Sequence, residues 1–398
     1  MKLSFQGILA FMVTLGLMMI LTIQALLAQS PVRGTLSGRV LDDSTGIPIS
    51  NVNVFLSGTS MGTTTDGKGE FILRAIPPGT YELVTSFVGY QVDVRPVRVS
   101  RAAEGPEVIR LKPMVYDLPM VEISAPDPEE WRENLKTFTE LLLGYSANAS
   151  SCTILNPHVV DFAVDPKTGA FTAKAGEPLI IENKALGYRI EYVLRQFEFK
   201  ETILKYSGHP KFVDLEPSDD EQFMKWKLNR WKAYRGSLQH LLASMAQRTV
   251  RREGFLLQLA KEMSLARSGV PRKPVGPGDI LVPTHMPLEQ RLSFPDYLEV
   301  RFLREPAERA FARFLGVERV STTTRFSGGE VNYQTNLSDA AEMQVSWLRL
   351  NVFSTTITSN GAMADPRAIT TYGYLSYERL AEMLPLDFTS TAKEAHLQ

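Results

Sequence analysis

Between Thr35 and Lys112 apolar residues recur at every second position and strong turn signals break the pattern into short pieces, which a helix cannot use and a small β-sheet stack can. "TLSGRVLD" sets Leu36, Gly38 and Val40 against Ser37, Arg39 and Leu41, and "NVNVFLSG" puts Val52, Val54 and Leu56 on one face. "DDSTGIP" and "TDGKGE" supply the Asp and Gly that tight connections need, because Gly accepts positive φ and Asp bonds its own backbone. "EFILRAI", "TYELVTSFVGY" and "VDVRPVRVS" read as further strands, with "PPGT" turning between the first two. Six or seven strands in so short a stretch predict a β-sandwich over 34–113.

The stretch "SGRVLDDSTGIPISNVNVFLSGTSMGTTTDGKGEFILRAIPPGTYELVTSFVGY" resembles the carboxypeptidase regulatory-like domain, a transthyretin-like sandwich of Bacteroidetes envelope proteins. The same module resembles the N-terminal extension of TonB-dependent outer-membrane receptors, and "DLPMVEISA" (117–125) looks like the segment that follows it there. The chain that remains is too short for a receptor's plug and large barrel. The family name carries no activity over. A metallocarboxypeptidase needs clustered histidines and carboxylates on zinc, whereas His158, His209, His240, His285 and His396 are scattered. No metal or cofactor is implied. Asp66 and Glu70, with Lys68 between them, are too few oxygens for calcium and read as a hairpin turn.

Length suits two domains. The 43 Lys plus Arg and 44 Asp plus Glu nearly cancel, so no global field favours nucleic acid. Lys2 followed by the apolar run Ile8 to Ala28 reads as an export signal over 1–28, cleaved before Gln29. The alternative is an uncleaved inner-membrane anchor, because about 20 apolar residues span a bilayer and Leu26 is large for the position three before the cut. Either way the chain is exported, to the periplasm or the outer membrane, or held at the inner membrane through 8–28. The single cysteine, Cys152, excludes an intrachain disulfide.

Residues 114–128 form a Pro-punctuated connector, and 129–392 an α+β domain. "PDPEEWRENLKTFTELLLGYS" has helical spacing at Trp131, Leu135, Phe138 and Leu142. "DPKTG" is a hairpin turn, and Tyr188, Ile190, Tyr192 and Leu194 alternate along a long strand. A helical insert near 218–248 starts at Ser218 with a capping box to Glu221 and is divided at Gly236 and Ser237. "GFLLQLAKE" (254–262) fits strand or helix. Strand patterns return in "PDYLEVRFLR", "SWLRLNVFST" and "AITTYGYLS", suggesting one sheet interrupted by the helices, and "SYERLAEMLPLDF" reads as a short closing helix. Several of these segments resemble the uncharacterised domain that commonly follows the regulatory module, which implies placement and fold but no chemistry.

No catalytic constellation stands out. Cys152 with His158 or His240 would make a nucleophile and base, against the commoner role of a buried small hydrophobe. Lys225, Lys227, Arg230, Lys232 and Arg235, interleaved with Trp226, Trp231 and Tyr234, could hold a polyanion, lipid headgroup or sugar, or simply cover a buried aromatic face. Within it Arg230, Tyr234, Ser237 and His240 are the candidate polar site. Glu182, Asn183, Glu191 and Glu198 offer carboxylates for glycoside chemistry or a solvated strand face. The leading expectation is a non-enzymatic envelope binding or assembly protein that docks through its sandwich onto an envelope protein or glycan. The alternative is a hydrolase of envelope glycan or peptide working from the second domain.

Overall fold

The computed structural model describes residues 33–99, 105–114, 128–264, 271–286, 288–314, 322–326, 329–333 and 343–388. The signal stretch and most of the connector lie outside the described residues. Among the described residues, no helix is long and apolar enough to cross a membrane.

A small all-β sandwich comes first. Strands β1 (Gly34–Asp42), β4 (Glu70–Ile76) and β7 (Glu107–Leu111) form a three-stranded sheet in the order β4-β1-β7, with β1 and β7 parallel. Strands β2 (Asn53–Leu56), β3 (Gly62–Thr64), β5 (Gly79–Ser86) and β6 (Asp93–Val99) form the facing sheet, β3-β2-β5-β6. The alternation places Leu36, Val40, Val52, Val54, Leu56 and Leu73 in one core. Asp66 closes its turn by accepting the Lys68 and Glu70 amides at 2.9 and 2.8 Å. Asp42 gathers the Ser44 and Thr45 amides and, from far along the chain, the Tyr90 hydroxyl at 2.7 Å. These hydrogen bonds hold its carboxyl well below the usual carboxylate range.

The described residues of the α+β part hold two large sheets and two smaller ones. Strands β8 (Cys152–Ile154), β9 (Val160–Val164), β10 (Phe171–Ala175), β11 (Leu179–Asn183), β12 (Tyr188–Lys200) and β13 (Ile203–Asp214) make an antiparallel sheet of six. Its core takes Phe138, Leu141 and Leu142 from the helix Pro128–Leu143, with Phe138 edge-on to Phe197 at 4.7 Å. After the helices Asp220–Tyr234 and Leu238–Ala246, strands β14 (Phe255–Ala260), β15 (Arg272–Pro274), β18 (Tyr297–Pro306), β21 (Met343–Leu350) and β23 (Ile369–Gly373) form a sheet of five. Strands β16 (Leu281–Pro283), β17 (Glu289–Leu292) and β22 (Thr355–Thr358) make a smaller one, and β19 (Thr322–Phe326) pairs with β20 (Gly329–Tyr333).

Three expectations change. The strands flanking the helical insert do not share a sheet, because each helix belongs to a different core: Ala233 packs in the first, Leu241, Leu242 and Met245 in the second. The cap of the first helix is Asp219, one residue later than expected, accepting from the Gln222 amide while the Gln222 side chain takes the Ser218 amide. The closing segment is one helical turn, Tyr374–Tyr377, and a 3-10 turn, Leu380–Glu382. Glu378 and Arg379 between them are extended, because the Arg379 guanidinium is drawn to Leu141 O at 2.6 Å and Leu380 and Leu384 enter the first core. Tertiary contacts there outweigh helix propensity. The ambiguous 254–262 segment contains strand β14, which pairs with β18.

Candidate functional site

The outward face of β2 and β5 is buried as deeply as the inward one. Phe55 and Val84 point away from the sandwich core, yet pack against Val193 of β12, with Val92 and Val94 beside them. Around that apolar contact the main chain itself joins the two parts. The turn after β2 lies alongside β13: Gly58 N donates to Pro210 O at 2.7 Å and Phe212 N to Thr59 O at 3.0 Å. On its other side Gly58 O accepts from Leu386 N at 2.7 Å, and the Asp387 carboxylate takes the Ser60 amide at 2.9 Å and the Ser60 hydroxyl. Gly58 has φ +75°, and an added Cβ would lie 3.1 Å from Leu386, so a side chain is doubly unwelcome there. Lys211 Nζ bridges Asn53 and Glu191 at 2.8 and 3.1 Å, and His209 Nδ1 lies 3.2 Å from both Ser57 Oγ and Glu82.

Two cavities flank the contact. One, of about 650 Å3, is lined on the sandwich side by Asn51, Asn53, Tyr90 and Gln91 and on the other by Glu177 and Arg195. The second, of about 590 Å3, has Tyr81, Val94 and Pro96 on its sandwich wall, Gly208 and Pro210 from β13, Leu238 and Leu242 from the second helix, and Leu375, Glu378, Glu382 and Leu386 from the closing segment. Its lining mixes apolar and polar side chains, with Glu82, Glu378, Glu382 and Arg379 as the charged members.

Burial, reinforced by Glu382, Glu308 and Glu305, raises the Glu378 carboxyl well above the ordinary carboxyl range. Glu378 lies deep in the protein yet keeps part of its surface accessible, because the cavity faces it. Glu382 is also raised by burial, opposed by the Ser146 hydroxyl and the Asn148 amide, which donates at 2.9 Å. Such carboxyls donate a hydrogen bond when protonated and need a counter-charge when ionised.

Of the four sequence candidates, Arg230, Tyr234 and His240 lie outside the linings of these cavities. Arg230 donates to Leu186 O at 2.6 Å and Gly187 O at 2.9 Å, pairs with Asp214 at 2.9 Å and lies 3.8 Å from the Tyr188 ring centroid. It joins Trp226, which donates to Lys184 O at 2.8 Å, and Asn229, which donates to Ala185 O at 2.8 Å, so successive side chains of one helix cap the successive carbonyls of the turn before β12. Gly187 in that turn has φ +68°, and a Cβ would meet the Trp226 ring at 2.2 Å. Tyr234 stacks near His240, with centroids 4.8 Å apart. Ser237 caps the second helix by accepting the His240 amide at 3.2 Å, and is the one of the four that lines the 590 Å3 cavity. His240 Nδ1 accepts from Gly236 N at 3.2 Å, and burial lowers its pKa to about 4, so it is neutral at ordinary pH.

Among the other candidates, Lys225 and Lys232 are exposed, Lys227 lies over Phe223 at 5.2 Å, and Arg235 covers Trp231 while pairing with Glu305 at 2.7 Å. Cys152 donates to Asn148 O at 3.5 Å, its thiol pushed up to about 12 by burial and then by Glu382, which leaves little thiolate. His158 is exposed. Glu182 pairs with Lys184, Glu191 with Lys211 and Glu198 with Lys205. Asn183 is fully buried, donating to Ala381 O at 2.9 Å. Among the described residues no group of three or more His, Cys, Asp or Glu is placed to hold a metal.

Sequence reasoning missed Glu378. "SYERLAE" reads as part of a short closing helix, and the one available signal is that Glu378 and Glu382 would be like charges one turn apart, an unfavourable pair on a helix.

Residues 36–122 match the family described as CarboxypepD_reg-like domain. The chain is 40% identical over 77 residues to TonB-dependent receptor P39 of Formosa agariphila, a match covering 19% of this chain and 7% of the receptor's own length. Among solved structures, a type II cohesin–X-dockerin complex from Acetivibrio cellulolyticus aligns with 20% of this chain and 56% of the other at 26% identity and a TM-score of 0.17. A DUF3823 family protein from Bacteroides ovatus aligns with 46% of this chain and 82% of the other at 13% identity, with a TM-score of 0.17. Those scores are too low to extend the fold beyond the strands already described.

Proposed function

We propose that this chain, which carries a carboxypeptidase regulatory-like domain, is a non-enzymatic binding protein of the bacterial cell envelope that holds its ligand where the sandwich meets the α+β part. Residues 1–28 act as the export signal, 34–113 as the sandwich, 114–128 as the connector and 129–392 as the second domain. The observation that carries the reading is the shared wall of the 590 Å3 cavity, to which the sandwich and the α+β part both contribute side chains. Ligand sites favour such concave surfaces between domains. A sandwich seated this firmly on its own chain serves as half of a site as well as a docking module.

The purified mature protein, titrated with fractionated envelope glycan and peptide, tests this beside an Ala364→Trp variant. Ala364 is an exposed residue on the cavity rim, so the substitution plugs the mouth at little cost to the fold. Saturable binding that the plug abolishes supports the reading. Binding that ignores the plug, or turnover of the bound material, overturns it. A second reading, hydrolysis of envelope glycan or peptide, is favoured by the raised carboxyls of Glu378 and Glu382, since a carboxyl held protonated is poised as a general acid. Turnover that vanishes in Glu378→Gln would establish it.

A further inference from the structure

The charges around the 590 Å3 cavity are almost all accounted for. Glu382 takes donors from Ser146 and Asn148, Glu308 takes the Tyr377 hydroxyl at 2.8 Å, and Glu305 is tied to Arg235. Glu82 is engaged by His209, and the Tyr81 hydroxyl donates to Pro77 O at 2.9 Å. Arg379, next to Glu378 in the chain, donates to Leu141 O and Ser376 O and stacks over Tyr145. Glu378 alone in this set receives no hydrogen bond from any described residue, and it lines the cavity.

A buried ionised carboxylate is costly unless a cation meets it. Glu382, Glu308 and Glu305 add negative potential at Glu378, and the guanidinium on the wall, Arg379, is committed to Leu141 O and Ser376 O, so an anion gains little and a neutral molecule gains one hydrogen bond at most. An ammonium group gains the full charge pair. The apolar part of the cavity wall, including Leu238, Leu242, Met363 and Leu375, suits an aliphatic or aromatic body.

We propose that the cavity between the sandwich and the closing segment is a binding site for an organic cation, a primary amine on an apolar body, with Glu378 as the counter-charge and the Leu238, Leu242, Met363 and Leu375 wall taking the apolar part. The proposal rests on the binding reading above and names its ligand class. Before a cation binds, burial favours the protonated form of the Glu378 carboxyl. Binding of the ammonium ionises the carboxyl, and that proton passes to the buffer.

The test is calorimetric titration of the mature protein with octylammonium, octanol and octanoate at neutral pH, repeated in buffers of different ionisation enthalpy. The expected result is octylammonium at least about tenfold tighter than octanol, octanoate weakest, and net proton release with octylammonium alone. Glu378→Gln, an isosteric change, should bring octylammonium down to octanol and abolish the proton release, while octanol binding stays as it was. Equal affinity for octanol and octylammonium, each blocked by Ala364→Trp, overturns the cation assignment and leaves a ligand-binding cavity intact. If none of the three binds while envelope glycan or peptide does, the cation assignment falls and the binding reading stands. If nothing binds at all, both fall.

Discussion

The sandwich and the α+β part satisfy their buried polar groups by opposite means. In the sandwich the partners are mostly near in sequence: Thr65 Oγ1 donates to Ile49 O at 2.7 Å and accepts the Val52 amide at 2.9 Å. In the α+β part they come from the two ends of the domain. Asn183 reaches Ala381, Ser146 and Asn148 reach Glu382, and Arg379 reaches Leu141, each across about 200 residues or more. The sandwich is therefore specified by local pattern, whereas the second part depends on its closing segment returning to the first sheet. The cavity lies where the two regimes meet.

The largest expected effect contrasts charges in the two regions. Glu299 is fully buried in the sheet of five, held by Arg272 at 2.7 Å and Arg301 at 2.8 Å. Glu299→Ala removes the buried carboxylate that both guanidiniums share and should cost ~3–5 kcal/mol in urea unfolding. Asp93→Ala, which removes the partly exposed partner of Arg95 on the sandwich, should cost about 0–1 kcal/mol. Similar losses at the two sites would end the contrast.

Next comes the coupling between the parts. Phe55→Ala opens a cavity at the contact with Val193 and should cost about 3 kcal/mol. Ile72→Ala, on the solvent face of β4, should stay within about 0.5 kcal/mol. A single unfolding transition in the Phe55 variant would mean the two parts still unfold together. Separate transitions would show that this contact is what joins them.

Ser237→Ala removes a helix cap and one polar atom of the cavity, and should cost about 1 kcal/mol. Loss of that size without change in ligand affinity would keep Ser237 on the structural side.

The remaining contrast is a pair of pH slopes of opposite sign. The folded pKa of His240 is depressed to about 4 from 6.5, so the unfolded chain takes up the proton first and stability is lost as pH falls from 6.5 towards 4. The folded pKa of Glu378 is raised, so its contribution is present below the ordinary value of 4.5 and lost as pH climbs through the folded value. Glu378→Gln should remove that second slope and raise the urea midpoint at neutral pH while leaving it unchanged near pH 4. An unchanged profile would mean that Glu378 is solvated in the way an open surface carboxylate is.

The alternation of Leu36, Gly38 and Val40 and the turns at Asp66 and Pro78 make the sandwich readable from the residues alone, since pleat and turn chemistry are local. The split at Gly236 and the cap at Ser237 are equally readable. The separation into two sheets is not, because a strand pattern says which face is apolar and nothing about which neighbour it pairs with. The aromatic and basic stretch of the first helix is legible as buried rings under solvated lysines, but the capping of Lys184 to Gly187 depends on a turn about 40 residues earlier. Phe55 leaves a faint trace, as the one interruption of strict alternation in "NVFL". Glu378 leaves almost none, because its surroundings are assembled from the sandwich, the second helix and the closing segment together.

The Gly58 peptide, with Pro210 on one side and Leu386 on the other, also fixes an order of events. A chain emerging amino end first completes its sandwich by Leu111, while the partners of Phe55, Val84 and Gly58 have yet to appear. Until Val193 and then Leu386 arrive, a finished domain presents an apolar face and an unpaired turn, which is the interval in which a nascent protein associates with the wrong neighbour. Any exchange of this sandwich for a related one must therefore carry the Ser57–Ser60 turn with it, or the acceptor chain will fold its first domain and never fasten its last residues.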